Sequence, residues 1–412
     1  MSARAQRHRP ASFGRIGQLS AASALLVACT LALPAQAASL PRPGDRIVGA
    51  IRAGFVEQVI ADSLDSPVSM ALAPDGRVFV CEQPGRLRVV RGGRLLEKPF
   101  VTVPTAAVQE EGLLGVAFDP AFARTGRVYV CYTALAPSRR NVIACYLARG
   151  DTAAGEGSIL YEFDAHAAHQ HVGGALRFGR DGMLCAGSGE SGDGTRAHSL
   201  ASTAGKLVRL RPDGRIPRDN PFPAETRGRH GAIWARGFRN AFAFDIHPRT
   251  GRVFVNDVGG DRFEEVNEAR RGDDFGWPAF EGPGRHPPFV DPVHAYGHDD
   301  GCAITGGAFY APDRPSFPAE WRDGYFFADY CANEIRWLSP ERGPRMMRFG
   351  RTHVPGPVDL RVAGDGALWY LARGNSAPTG GPGSGWGVLV RIAPQGAGAE
   401  GARGASPTPR KP

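Results

Sequence analysis

The chain has 412 residues, of which 55 are glycine, 34 are proline and 42% are apolar, and it carries a formal charge of +8. That apolar share is enough for a sizeable core, and glycine and proline at this density punctuate many short strands and exclude a mainly helical design. Of the 49 basic residues only Lys98, Lys206 and Lys411 are lysine. The arginines are spread along the chain and form no basic face, so no nucleic-acid partner is expected.

In chain order, residues 1–37 read as an export signal. Arg4, Arg7, Arg9 and Arg15 precede an apolar run over 21–33 that is too short to span a bilayer, and Ala35-Gln36-Ala37 offers a small-residue cleavage site. Leu26-Val27-Ala28-Cys29 is the lesser alternative, a lipoprotein processing box, but the apolar run continues past Cys29 and suits cleavage after Ala37 better. Losing the four arginines lowers the formal charge from +8 to +4. The mature chain is expected in the periplasm or outside the cell, without a transmembrane segment. Residues 38–50 read as an arm, 51–393 as the fold, and 394–412 as a disordered tail rich in Gly, Ala and Pro.

One unit then recurs, a turn ending in glycine followed by a short apolar strand, first as Pro74-Asp75-Gly76-Arg77-Val78-Phe79-Val80. It returns at Gly126, Gly182, Gly251, Gly324 and Gly366, with successive separations of 50, 56, 69, 73 and 42 residues. Asp-Gly and Thr-Gly supply turn conformations, and the β-branched and aromatic residues that follow favour strands. Six such copies predict an all-β fold, a six-bladed β-propeller with four strands per blade. The widest gaps bracket residues 182–324, where inserted loops are expected to build the site. Helical periodicity is weak throughout, with one or two turns expected over 199–206.

Beyond Cys29, six cysteines remain, an even number that permits disulfides in an exported protein. Cys81, Cys131, Cys145 and Cys185 lie in apolar strand-like runs and read as buried thiols, whereas Cys302 and Cys331 lie in loop-like settings and read as a pair.

Three constellations carry chemistry. In the first, His171-Val172-Gly173-Gly174 leads into a strand, with His166 and His169 before it and Gly187-Ser188-Gly189-Glu190 after it. Alternating histidines are one metal-ligand pattern, but glycines on both sides suit a backbone that lets a flat ligand come close. In the second, Gly237-Phe238-Arg239-Asn240, the guanidinium sits among apolar residues and requires an anion or carbonyl partner. The third runs from Asn256-Asp257-Val258-Gly259-Gly260 to Asn267, an acidic, glycine-bearing turn that is either a calcium site or a solvated loop.

Taken in order, these motifs resemble the soluble PQQ-dependent glucose/sorbosone (aldose sugar) dehydrogenases, whose six-bladed propeller is shared with Hedgehog-interacting proteins. The likeness extends through Glu111-Gly112-Leu113-Leu114-Gly115, Gly205-Lys206-Leu207 and Phe275-Gly276-Trp277-Pro278, and it covers nearly everything from Pro67 to about Ile392. It implies oxidation of the anomeric carbon of an aldose, with PQQ and calcium as cofactors and an artificial or respiratory electron acceptor as partner. By the same resemblance, His171 is the general base and Arg239 and Asn240 contact the quinone. Gly259 and Gly260 offer carbonyls to calcium, and Glu110, Gln170 and Glu190 stand at the sugar cleft. The alternative is a non-catalytic propeller acting as a binding or cell-surface interaction module.

The chain departs from the glucose enzymes at three places. Pro355-Gly356-Pro357-Val358-Asp359 stands where those enzymes carry an arginine pair for the cofactor's carboxylates, and Ala311 follows Phe309-Tyr310 where a lysine is expected. Val258-Gly259-Gly260 replaces a Gln-Gly-Pro turn. Arg336 and His353 are candidates to take over the lost positive charge.

Overall fold

The computed structural model describes residues 41–341, 343–374 and 385–396; the expected export signal with Cys29, and residues 397–412 of the expected tail, lie outside the described residues. Six antiparallel sheets follow one another along the chain as the blades of a propeller. Blade 1 is built on Pro67–Leu72, Val78–Glu82 and Arg86–Arg91, and blade 2 on Leu113–Phe118, Arg127–Ala134 and Arg140–Arg149. Blade 3 comprises Leu176–Phe178, Leu184–Ser188, Lys206–Leu210 and Ile233–Arg236, and blade 4 comprises Ala241–Ile246, Val253–Asp257, Phe263–Ala269 and His294–Gly297. Blade 5 runs through Ile304–Phe309, Tyr325–Asp329, Glu334–Leu338 and Met346–Arg351. Blade 6 joins Pro357–Val362, Leu368–Ala372 and Gly387–Pro394 to Phe55–Leu64 from the other end of the sequence.

Each of the six recurring glycines lies in the turn between the first and second strand of a blade. The repeat in the sequence is therefore the blade itself. The expected four strands per blade needs correction, because the outer strand of blades 1 and 2 is broken into two short pieces and Arg46–Ile47 add a fifth strand to blade 6. The helical turn expected over 199–206 is also corrected: the local 3-10 turn is Gly194–Arg196, and Lys206 opens a strand. Among the described residues no helix is long and apolar enough to cross a membrane.

Closure is made by backbone pairing. Phe55–Leu64 runs antiparallel to Gly387–Pro394, from Phe55 opposite Pro394 to Leu64 opposite Gly387. Side chains then fill the wedges between blades. Phe55, Phe317, Trp321, Phe326 and Phe349 pack edge-on and stacked between blades 5 and 6, and Phe79, Phe100, Phe118 and Phe122 do the same between blades 1 and 2. Such ring contacts add to the transfer of apolar area from water. The axis is polar: Arg177 approaches Asp245 at 3.4 Å and Asp359 at 3.8 Å, and Arg361 meets Asp359 at 2.5 Å. Burial, reinforced by the like charge of Arg177, pulls the Arg361 guanidinium down to about 10.

Cys302 and Cys331 form a disulfide with Cα atoms 5.6 Å apart, while Cys81, Cys131 and Cys185 are buried free thiols and Cys145 is a half-buried one. Because the bridge spans 29 residues, replacing both cysteines by serine should lower stability by about 3 kcal/mol, read from urea unfolding midpoints.

The closing strand also carries Glu57, fully buried, which accepts hydrogen bonds from the Tyr370 hydroxyl at 2.7 Å and the His353 backbone N–H at 3.2 Å. Burial raises its pKa above the ordinary carboxylate value despite those bonds. A carboxyl whose folded pKa is raised contributes stability that is complete below about pH 4 and is lost as pH rises through the folded value. Glu57→Gln removes that titration, so unfolding midpoints followed from pH 4 to 8 should fall less for the variant than for the wild type.

Candidate functional site

In an antiparallel blade the start of the first strand, the end of the second and the start of the third lie at the same end. His171 precedes the first strand of blade 3 and Glu190 follows its second; Arg239 and Asn240 precede the first strand of blade 4, and Gly259 and Gly260 follow its second. Glu110 precedes the first strand of blade 2. The structure thus brings the expected residues to one mouth of the propeller.

They are also bonded to one another. His171 Nδ1 pairs with Glu190 Oε1, with side-chain exposures of 13% and 5%. A carboxylate partner makes Nδ1 the N–H donor and leaves Nε2 as the lone-pair nitrogen, which has no hydrogen-bond partner among the described residues. His171 holds a left-handed backbone, φ 53°, a conformation that a β-carbon disfavours and that concentrates at working sites. Its carbonyl lies so close to Gly189 that a β-carbon there would collide with it, which accounts for the glycine. Gly189 in turn bridges to Asn240, and Glu190 N–H donates to the Arg239 carbonyl at 2.7 Å.

Asp257, at the end of its strand, accepts from the backbone N–H of Arg239 at 3.0 Å and of Asn240 at 2.6 Å, which fixes the turn that presents both side chains. Burial and the nearby Glu265 raise the Asp257 pKa well above its usual range. The Arg239 guanidinium donates to the Val258 carbonyl at 3.0 Å and lies 5.5 Å over the Trp277 ring, the carbonyl partner its apolar surroundings demand. Asn240 Nδ2 donates to Glu110 Oε2 at 3.1 Å, whereas buried Asn240 Oδ1 is without a partner among the described residues. Gln170, beside His171, is exposed.

Sequence reasoning passed over three supports of this site. Glu281 Oε1 accepts from the backbone N–H groups of Gly260 at 2.7 Å and of Arg262 and Phe263 at 3.2 Å, and so shapes the Gly259-Gly260 turn from a loop no motif marks. Trp277 was legible only as part of a motif. Lys206 is fully buried with Nζ donating to the carbonyls of Arg196, Ala197 and Ala204, and it pins the loop that follows Glu190. Burial, reinforced by the like charge of Arg236, pulls that ammonium down to about 7, and Asp274 opposes the pull. A lysine in a strand-like run gives no sign of such a role.

The structure also bears on two alternatives raised by the sequence. His169 Nδ1 pairs with Glu111 Oε2 at 2.9 Å and His166 Nδ1 with the Ala168 carbonyl at 2.9 Å, so these histidines do not surround a common point with His171. Arg336 is fully buried, held by Asp300 and Glu334 and 4.3 Å over Tyr296, so its charge is committed inside the fold, whereas His353 is exposed in the turn that leads from blade 5 into the first strand of blade 6.

The donor set fits the implied cofactors as follows. Among the described residues no group of three or more His, Cys, Asp or Glu side chains is arranged to hold a metal ion. A calcium ion at the Gly259-Gly260 turn would rest on backbone carbonyls, with the carboxyl oxygens of Glu264 and Glu281 bonded to the turn's own N–H groups, an oxygen-rich setting that suits a hard cation. For a planar quinone, the Arg239 fork, the orphan Asn240 oxygen and the bare Gly260 backbone beside Trp277 offer polar contacts and a cradle.

Residues 64–378 match the sequence model of the glucose/sorbosone dehydrogenase family. The chain is 27% identical over 369 residues to the aldose sugar dehydrogenase YliI of Escherichia coli, covering 82% of this chain and 92% of the relative. The apo-form structure of the soluble aldose sugar dehydrogenase of Escherichia coli superposes with a TM-score of 0.71 at 26% identity, covering 83% of this chain and 100% of that one. The PQQ-bound aldose sugar dehydrogenase of Streptomyces coelicolor gives a TM-score of 0.69 at 25% identity, covering 84% and 99%.

A β-carbon on Gly259 would run into the carbonyl oxygen of Phe263, and neither backbone can yield without breaking the Glu281-held turn. Gly259→Ala should therefore lower the thermal midpoint by several degrees, roughly the cost of 1 to 3 kcal/mol of backbone strain, as calorimetry would show.

Proposed function

The chain belongs to the glucose/sorbosone dehydrogenase family, and on that footing we propose that it is an exported, PQQ- and calcium-dependent dehydrogenase oxidising the anomeric carbon of aldose sugars. The observation that carries the reading is the His171–Glu190 pair with His171 Nε2 left open, joined by backbone bonding to Arg239 and Asn240. When bound, PQQ supplies a two-electron acceptor for hydride, and calcium supplies a Lewis acid beside it.

The residues divide the work. His171 Nε2 takes the proton of the anomeric hydroxyl as the C1–H bond breaks, so the aldose loses one hydride and one proton and becomes the lactone. Glu190 holds the imidazole in the tautomer that leaves Nε2 basic and stabilises the imidazolium that forms. In this reading Glu190 acts from behind the base, at the wall of the cleft. Arg239 and Asn240 offer N–H donors where negative charge grows on the acceptor. Gly259 and Gly260 would hold calcium through their carbonyls, and Glu110 and Gln170 would receive sugar hydroxyls at the cleft. Export to the periplasm or beyond, and delivery of electrons to an artificial or respiratory acceptor, complete the reading.

Purified protein supplied with PQQ and calcium should reduce a redox dye with aldoses. His171→Ala should lower turnover by about 10² to 10⁴, and Arg239→Ala by a comparable factor. Glu190→Gln should lower kcat with little change in KM and shift the acid limb of the pH profile. Full turnover by His171→Ala would remove the mechanism and leave the binding-module reading in its place.

A further inference from the structure

The innermost strands of the blades meet at the axis, and there they line one small cavity. Ser69 reaches it from blade 1, Leu114 from blade 2, Arg177 from blade 3, Phe242 from blade 4, and Asp359 and Arg361 from blade 6. Its volume is about 20 Å³, room for one water molecule or one monatomic ion. Gly173 also lines it, so the cavity lies next to the turn that carries His171.

The charges around it cancel formally, two guanidinium groups against Asp245 and Asp359, but the hydrogen bonds do not. Asp359 Oδ2 accepts from the Ser69 hydroxyl at 3.0 Å and the Met70 N–H at 2.8 Å, and its Oδ1 accepts from the Leu360 N–H at 2.9 Å and Arg361 Nη1 at 2.5 Å. Asp245 Oδ2 accepts from the Phe309 N–H at 2.8 Å, and its Oδ1 stays 3.4 Å from Arg177 Nε. The carbonyls of Leu176 and Leu360 take Nη1 of Arg177 and of Arg361.

What remains is donors. Arg177 Nε and Nη2 and Arg361 Nη2 are buried without a hydrogen-bond partner among the described residues. Both side chains are only 12% exposed, so bulk water does not serve these groups. Burial and the like charge of Arg177 also outweigh the pull of Asp359 and Asp245 on the Arg361 guanidinium, which a neighbouring anion would reverse.

We propose that this cavity binds one monatomic anion, a halide such as chloride, between Arg177 and Arg361. An anion taken out of water requires N–H donors turned toward it, and guanidinium groups supply them with charge. Water suits the place less well, because it must also donate two hydrogens against walls such as Leu114 and Phe242, whereas a halide only accepts. Held there, the ion ties the innermost strands of blades 3 and 6 across the axis. The assignment is independent of the PQQ reading.

The test is diffraction at the bromine absorption edge from crystals of the chain grown in sodium bromide, together with thermal midpoints in chloride and in glutamate at equal ionic strength. Bromide should give an anomalous peak between Arg177 and Arg361. The midpoint should rise by about 2 °C for each tenfold increase in chloride once the site fills, and glutamate, too large to enter, should give no such rise. Arg361→Met should lose both the peak and the chloride dependence, while Arg94→Met, exposed on the outer edge of blade 1, should keep both. A water molecule at that place without anomalous signal overturns the proposal, as does a midpoint that responds to chloride and glutamate alike. If Arg361→Met does not fold, the bromide map of the wild type decides alone.

Discussion

The pairing of Phe55–Leu64 with Gly387–Pro394 is the constraint on which the rest depends. A ring of blades is locked shut only when its last blade is completed, and here the missing strand comes from the opposite end of the sequence. Closure sets the six blades at fixed angles round one axis. Without that angle His171 and Gly260, 89 positions apart, have no reason to meet. With it, turns that are merely equivalent along the chain become neighbours in space.

The fold takes several carboxylates wholly or partly out of water and puts them to use as acceptors. Asp257 and Glu281 each collect backbone N–H groups from turns that would otherwise leave them unpaired, and Glu264 accepts from Gly259 and Ile304. A buried carboxylate is costly unless hydrogen bonds replace its water, and these turns supply them. The balance is incomplete around Asp257, Glu264 and Glu265, whose pKa values are raised by burial first and by one another or a neighbouring carboxylate second. These carboxyls lie beside the Gly259-Gly260 turn, where a bound cation would favour their ionised form. The axial Arg177, Arg361, Asp245 and Asp359 balance their charges without leaving one side in excess.

The sequence by itself determined the repeat, because a glycine turn followed by an apolar strand is a local code: backbone freedom at the turn and β-branched packing after it act within a few residues. Blade number, the mouth-facing motifs at His171, Arg239-Asn240 and Gly259-Gly260, and the separation of Cys302 and Cys331 from the buried thiols all follow from such short-range signals. Tertiary structure alone decided who pairs with whom. Glu190 could not be recognised as the partner of His171, nor Glu281 as the support of Gly260, since each acts through a backbone approach that only the blades create. Arg336 looked available in the chain and proves to be neutralised by Asp300 and Glu334 in the fold. Charge is written in the sequence, but its availability depends on what lies within a few ångströms, and in a propeller those neighbours come from other blades.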